Sequence, residues 1–454
     1  MGKTSAMDMV HGPLLKNILF FSLPLMASNF LQLLFNAVDV IVVGQFAGYG
    51  SLAAVGSTSS IVYLITNLLI GISVGVNVVV ARYLGMGQHE KEISNAIHTS
   101  VLVALVGGTA LGCVGLFLSR WMLTLVSTPA DIFEKTLLYL RIYFVGSPFI
   151  MLYNYGAATL RASGDTRRPL LCLTISGIMN LILNLLFVIV FHMDVAGVGI
   201  ATVLSQALSA GLVLRYLCCA ENAFRFSWKN LRMDWAIFRH LAHIGIPAGL
   251  QSCMFSLSNV VIQGAINSYG SVVMAGCSAG TNIENFLYTS MNSFHHACQT
   301  FVSQNMGAGR YERIRPIIRI CLISTLVLGI VQSGAVVWFA PELIGIYNSN
   351  PTVVAEGTIR LYIVATLYVV FGLADVLMGA IRGYGYPIAP VIINLLGTCV
   401  FRIIWIGLLD TSKCGVEWIY ASYPLTWFII LVALTIFWVW LRRKNQEGHY
   451  ALKI

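Results

Sequence analysis

The chain has 454 residues, 57% of them hydrophobic and only 10% charged, against roughly 25% charged in a soluble globular domain. Together with a mean hydropathy of +0.81, this excludes a soluble enzyme, a disordered chain and a disulfide-built extracellular module, and places nearly the whole chain in lipid. The formal charge of +9 would suit a nucleic-acid partner only if it were gathered into a patch.

At about 20 to 25 residues per spanning helix, the length accommodates about a dozen spans. The apolar runs exceed the roughly ten residues of an alternating barrel strand, so the spans are helices. Breaks at charges, Gly/Pro and polar clusters predict helices near 17–44, 51–81, 93–117, 133–160, 168–191, 194–219, 240–264, 275–303, 315–340, 354–381, 387–410 and 415–441. The fold class is therefore all-α integral membrane, with twelve transmembrane helices in two pseudo-symmetric six-helix lobes. The domain reading is a cytoplasmic segment 1–16, lobes at 17–219 and 240–441, a polar inter-lobe linker at 220–239, and a cytoplasmic tail at 442–454. The first apolar run lacks a small-residue cleavage site and reads as a retained span.

Charge placement orients the helices. With a cytoplasmic N-terminus, 21 of the 27 basic residues fall on the inside, three outside, and Arg141, Arg360 and Arg402 within helices. Positive residues favour the cytoplasmic side, so both termini are expected there, with no need for a nucleic-acid partner. The chain lacks an N-x-[ST] sequon, since Asn350 is followed by Pro; this fits a multi-pass protein of the bacterial plasma (inner) membrane.

The sequence also repeats. VDVIVVGQFAGYGSLAAVG (38–56) aligns with SNVVIQGAINSYGSVVMAG (258–276), LGMGQHE (84–90) with MGAGRYE (306–312), RIYFV (141–145) with RLYIV (360–364), and LRASGDTRRP (160–169) with IRGYGYP (381–387). An offset near 220 spans six helices, an even number, so the halves share one membrane orientation. Parallel repeats of this kind occur in secondary transporters, with the substrate site between repeats.

Polar residues within these runs carry the functional reading, because an ionisable side chain at a helix centre costs about 2.5 to 3.5 kcal/mol. Asn29, Gln32, Asn36 and Asp39 share one face of the first helix at spacings of 3, 4 and 3. Asp39 reads as a cation-coupling residue or as a structural hydrogen-bonding one; Asn36 can supply an amide oxygen beside it. On the fifth helix Asn180 and Asn184 lie one turn apart, either as helix–helix glue or as the remainder of a site with Asp39. The seventh helix carries Ser252, Ser256, Asn259 and Gln263, with Asn259 in the place of Asp39. The eighth holds Glu284, Tyr288, Asn292, His295 and Gln299 on one face; Glu284 stands where the second helix has Val62. Asp375 follows on the tenth helix, with Arg382 or Arg360 as possible ion-pair partners. Gln32, Asn259, Gln263, Glu284, Tyr288, Asn292 and Asp375 are thus the candidate substrate-cavity residues, the acids favouring cations.

Other patterns carry less. Ten scattered cysteines without a CxxC pair read as small core residues. His295 and His296 are adjacent in sequence and should point to different faces, against metal binding. The Gly-rich GMGQHE, SGDTRRP and GAGRYE turns lack the GxxxxGK[ST] phosphate loop, and GCSAG (276–280) lacks the strand-to-helix context of a nucleophile elbow.

With these residues in view, the chain resembles the MATE (multidrug and toxic compound extrusion) transporters, most closely the DinF-like bacterial branch. The resemblance is carried over about 12–441 by SLPLMASNFLQLLFNAVDVIVVGQFAG, ISVGVNVVVARYLGMGQ, LRASGDTRRP, IGIPAGLQ and FVSQNMGAGRYE. It implies two six-helix lobes around a V-shaped cavity and alternating access. It further implies efflux of cationic or amphipathic organic compounds in exchange for protons or sodium ions. No cofactor beyond the coupling ion, no metal beyond Na+ at Asp39, and no obligatory protein partner is expected; the partners are small-molecule substrates and the bilayer. Asp39 matches the first-helix acid of that branch and Asn180 its fifth-helix asparagine, whereas Asn184 stands where proton-coupled relatives carry an aspartate. The alternative within the same superfamily is a lipid-linked precursor flippase, which would need several intramembrane basic groups to hold a pyrophosphate. A channel and a membrane enzyme are weaker alternatives.

Overall fold

The computed structural model describes residues 7–47, 49–87, 90–126, 128–220, 224–409 and 414–446. Among them there is no strand. Nine helices are long and apolar enough to cross a membrane: α1 (Leu14–Val42, continuing as a π-helical turn through Ala47), α2 (Tyr49–Met86), α3 (Glu90–Leu125), α6 (Arg167–Leu185, with a π turn to Val190), α7 (Asp194–Cys218), α8 (Trp235–Asn267), α10 (Tyr311–Trp338), the run α14 (Ile388–Asn394), π turn and α15 (Phe401–Leu408), and α16 (Glu417–Gln446). Two further spans are bent pairs. α4 (Phe133–Val145) meets α5 (Ser147–Ala162) at 44°, and α12 (Pro351–Val364) meets α13 (Tyr368–Tyr384) at 47°. Both breaks directly follow the repeated block RIYFV/RLYIV, so the bend belongs to the duplicated unit. In the first pair it coincides with Gly146 and Pro148, which removes a backbone donor just inside α5.

The twelfth span is α9 (Ser271–Gly307). Its 37 residues, about 56 Å of helix, are more than enough, but its inward residues are polar: Glu284, His295, Gln299, Ser303 and Asn305 are all buried. Low hydropathy here reports a second half, from Thr289 to Met306, enclosed almost entirely by protein, and a first half whose exposed face includes Thr281, Asn282, Asn285 and Tyr288. The opposite case is α6, where Leu171, Ile175, Ile178 and Ile182 are exposed while Ser176, Gly177, Asn180 and Asn184 are buried. Apolar-out, polar-in is the arrangement a bilayer demands. One helix was not anticipated: α11 (Ala340–Tyr347) restarts after α10, with Pro341 in its first turn, where a missing N–H costs nothing.

The chain forms two compact units, but they do not divide at the 220–239 linker. The first comprises residues 1–8 and 27–249, the second 9–26 and 250–454. In the first, the beginning of α8 lies against α2 at two glycine pairs. A Cβ on Gly75 would stand 2.4 Å from the Leu241 carbonyl oxygen, and one on Gly71 would stand 2.5 Å from Gly249 Cα. Only small residues permit such backbone approach. The linker itself is packed rather than free. Phe226 is 2% exposed in the core of this unit, and the Asp234 N–H donates to Thr99 Oγ1 at 3.1 Å. In the second unit, the chain start is held by Asn305, whose Nδ2 donates to the Met9 carbonyl at 3.1 Å, and by Arg313, which donates to the Gly12 carbonyl at 2.6 Å. Phe21 packs edge-on against Phe301.

Candidate functional site

In the first unit, Gly177 lets α6 approach α1: a Cβ there would fall 1.9 Å from the Phe35 ring. Asn180 and Asn184 follow Gly177 by three and seven residues on the same face, and Asp39 follows Phe35 by one turn. This register brings Asn184 onto Asp39. Asn184 Nδ2 donates to Asp39 Oδ1 at 2.5 Å and to Asn180 Oδ1 at 3.2 Å. Two acceptors fix which end of the amide is nitrogen, and so leave Asn184 Oδ1 buried with no hydrogen-bond partner. An unmet acceptor beside a carboxylate, with Asn184 fully buried, is an unmet demand for a proton or a cation. Asn36 and Gln32 lie on the exposed side of α1, and neither hydrogen-bonds to Asp39 among the described residues.

The second unit holds a neutral echo of this site that sequence reading overlooked. Thr398 Oγ1 donates to Asn394 Oδ1 at 2.6 Å, four residues apart like Asn184 and Asn180. The signal was present: NLILNLLF and NLLGTCVF align at an offset of 214. In both cases a π-helical turn meets the pair, Leu186–Val190 following Asn184 and Leu395–Val400 following Asn394 and containing Thr398; such turns often mark functional positions. Ser258, the neighbour of Asn259, donates to the Thr398 carbonyl at 3.0 Å, and Asn259 Oδ1 is a second buried acceptor without a partner. Gln263 is exposed and donates to Asn267 at 2.9 Å.

The acids of the second unit depart from expectation. Glu284 does not face a cavity: it is 5% exposed and forms a two-bond pair with Arg360, with Nε and Nη2 each 2.8 Å from a carboxylate oxygen. Arg360 is further sandwiched by the rings of Tyr420 and Tyr423, at 5.2 and 5.1 Å. The expected cation-attracting role of Glu284 is therefore corrected to an internal ion pair. Its repeat logic is simple: where the first half has Val62, Arg141 is left exposed, and where the second has Glu284, Arg360 is drawn inside. Asp375 likewise pairs with neither Arg360 nor Arg382. Its carboxylate meets His295 Nδ1 at 3.0 Å and accepts from Asn292 Nδ2 at 3.0 Å, while Arg382 donates to Gln251. Of the proposed cavity residues here, Tyr288 is substantially exposed, its ring 5.7 Å from that of Phe371. Among the described residues no His, Cys, Asp and Glu cluster could hold a metal ion.

An asparagine pair beside a first-helix acid, echoed in the second half by Asn394 and Thr398 without the acid, matches the sequence duplication, and comparison with known proteins decides the family. The MatE family model matches residues 24–186 and again 247–406. The chain belongs to the MATE family. The two matches begin at Pro24 and Pro247, so they recover the internal duplication independently. Among curated relatives, the "Probable multidrug resistance protein YpnP" of Bacillus subtilis (strain 168) is 29% identical, covering 87% of this chain and 88% of its own. The "FAD transporter" of Shewanella oneidensis is 24% identical, covering 94% of each. Among solved structures, an outward-facing MATE multidrug resistance transporter superposes with a TM-score of 0.90 at 18% identity, covering 99% of this chain and all of the other. This MATE protein is thus a multi-span membrane transporter and not an enzyme.

Proposed function

We propose that this MATE protein is a secondary active exporter of cationic or amphipathic organic compounds, driven by inward proton or sodium flow coupled at Asp39. The observation that carries the reading is the unmet Asn184 Oδ1 against the Asp39 carboxylate. With the ion bound, this acceptor and the carboxylate are both satisfied. With it gone, a half-buried anion and a buried orphan oxygen remain, at a cost of about 1 to 3 kcal/mol for the orphan alone. That difference is the means by which an ion biases one conformation over another, since only differential affinity shifts an equilibrium. Asp39, Asn180 and Asn184 form the coupling group, and the neutral Asn259, Asn394 and Thr398 set takes no charge in the cycle. The name of the Bacillus relative supports a drug substrate, whereas that of the Shewanella relative raises an anionic dinucleotide. An anionic cargo, including the pyrophosphate of a lipid-linked precursor, would need free intramembrane cations. Arg360 is neutralised by Glu284, whereas Arg402 donates only to Thr426 and Arg382 to Gln251 among the described residues, so an anionic substrate, FAD, is tested beside ethidium. The bacterial plasma membrane, with both termini cytoplasmic, is the setting that the basic-residue distribution supports.

The test is ethidium efflux from proteoliposomes under an imposed proton or sodium gradient. Gradient-driven efflux is expected from the wild type and a loss of at least tenfold in Asp39→Asn, with the variant still monodisperse in detergent. Undiminished efflux in Asp39→Asn would remove coupling from this site, and FAD movement without ethidium movement would overturn the substrate class.

A further inference from the structure

At the end of the first unit where α3 begins, a cavity of about 370 Å³ opens between α3 and the packed linker. It is lined by Ser94, Asn95 and His98 of α3 and by Lys229, Asn230 and Arg232 of the linker. The α3 residues share one helical face, and Lys91 lies a turn earlier on the same face. The walls are fixed. His98 Nδ1 is 2.7 Å from its own-turn Ser94 carbonyl, and Nε2 is 3.1 Å from the Ser227 N–H. Asn95 donates to Asp234 at 3.1 Å and accepts from the Arg232 guanidinium. The neighbouring acid, Asp234, accepts at Oδ1 from the N–H groups of Ala236 and Ile237 to cap α8 and at Oδ2 from the Asn95 amide, neutral donors that hold it in place and leave its charge beside the cavity. Glu92 sits on another face of α3. Neither Lys229 nor Arg232 has an ion-pair partner among the described residues. The cavity therefore presents Lys229 and Arg232, with Lys91 a turn away, against the single carboxylate of Asp234, a positive excess over hydroxyl and amide groups that suits a phosphate.

We propose that this cavity binds a phosphate group carrying net negative charge. The flanking residues favour a membrane source. Trp228 and Trp235, on either side of the basic pair, are 57% and 70% exposed, and exposed tryptophans gather at the membrane–water interface. Basic pockets beside membrane spans are suited to anionic lipid headgroups. The occupant would bridge the linker to α3 and so brace the linker and the start of α8 within the first unit. This assignment does not depend on the transport reading.

Full-length protein should be tested by native mass spectrometry with phosphatidylglycerol against phosphatidylcholine, and by thermal unfolding in inorganic phosphate. Wild type is expected to retain phosphatidylglycerol selectively, and Lys229→Ala/Arg232→Ala to bind it more weakly by roughly fivefold for each charge removed. The control Arg442→Ala/Arg443→Ala, which deletes two exposed charges of α16, should bind as wild type. Lys229→Gln, at an exposed side chain with no partner, gives the single-charge effect without risk to folding. Equal phosphatidylglycerol binding in all variants, with phosphate stabilising wild type but not the double variant, would leave the site in place with a soluble phosphate as its ligand. If neither probe distinguishes Lys229→Gln or the double variant from wild type, the proposal is wrong.

Discussion

Asn184 is fully buried, donates twice through one nitrogen and leaves its oxygen unmet. An asparagine kept for helix packing alone would be replaceable by leucine of similar volume, and removal of an orphan acceptor could even stabilise the fold. Asn184→Leu removes that orphan but strands the oxygens of Asn180 and Asp39 that its nitrogen served, so the thermal midpoint in detergent is expected to fall by the equivalent of about 1 to 3 kcal/mol, while gradient-driven ethidium efflux from the protein that remains folded falls tenfold or more. Efflux at the wild-type level would reduce the amide to packing. The Glu284–Arg360 pair predicts a loss of stability without a loss of transport. Glu284→Gln leaves a buried guanidinium without its counter-charge and should cost about 3 to 5 kcal/mol, seen as a lower unfolding midpoint. Glu284→Leu/Arg360→Met should recover most of that loss and still transport, whereas a stable but inactive double variant would return Glu284 to the substrate path. The contrast shows what a sequence discloses at this scale. Asp39, Asn180 and Asn184 stand out because lipid penalises polar groups in an apolar run. That Glu284 is spent on Arg360 depends on a contact across 76 residues of sequence, and helical spacing carries no information about it.

Helices are where sequence and structure agree most closely, because the bilayer fixes both their length and their hydropathy. The predicted ranges fall on the observed spans, and the departures have local causes. The predicted helices at 133–160 and 354–381 are bent, and the unanticipated α11 restarts the chain at Pro341. Helix α8 begins at Trp235 rather than near 240, because Asp234 caps it. Which helices touch was not legible, since glycines spaced for close crossing look alike wherever they occur. Gly75 and Gly211 make the point. A side chain on Gly75 would meet the Leu241 carbonyl oxygen and the Gly245 backbone, while Gly211 on α7 has nothing within 4 Å of a new Cβ. Gly75→Leu is expected to lower stability by about 1 to 3 kcal/mol or more, as overpacking against backbone does, and Gly211→Leu to leave the unfolding midpoint unchanged. Equal midpoints would mean that the α2–α8 crossing yields to a side chain.

The duplicated blocks foretold two halves, and the family match from Pro24 and from Pro247 reproduces them. They did not foretell that residues 9–26 belong to the compact unit of the second half, or that residues up to 249 belong to that of the first. Both transitions come two residues after a proline inside α1 or α8, where the missing N–H and the clash with the preceding turn weaken the helix. Neither half of the sequence therefore contains a whole compact unit. A chain cut after Ala220 yields one fragment without the α8 segment that closes on Gly71 and Gly75, and another without Met9 and Phe21, which Asn305 and Phe301 hold. Fragments 1–220 and 221–454 expressed separately are expected to accumulate poorly and to elute as aggregates. Co-expressed, they should assemble into a monodisperse pair that restores efflux to cells lacking the intact chain. Stable, monodisperse fragments on their own would mean that each lobe's core suffices without its partner's helix segment. The duplication would then have preserved two self-sufficient bundles rather than two interdependent ones.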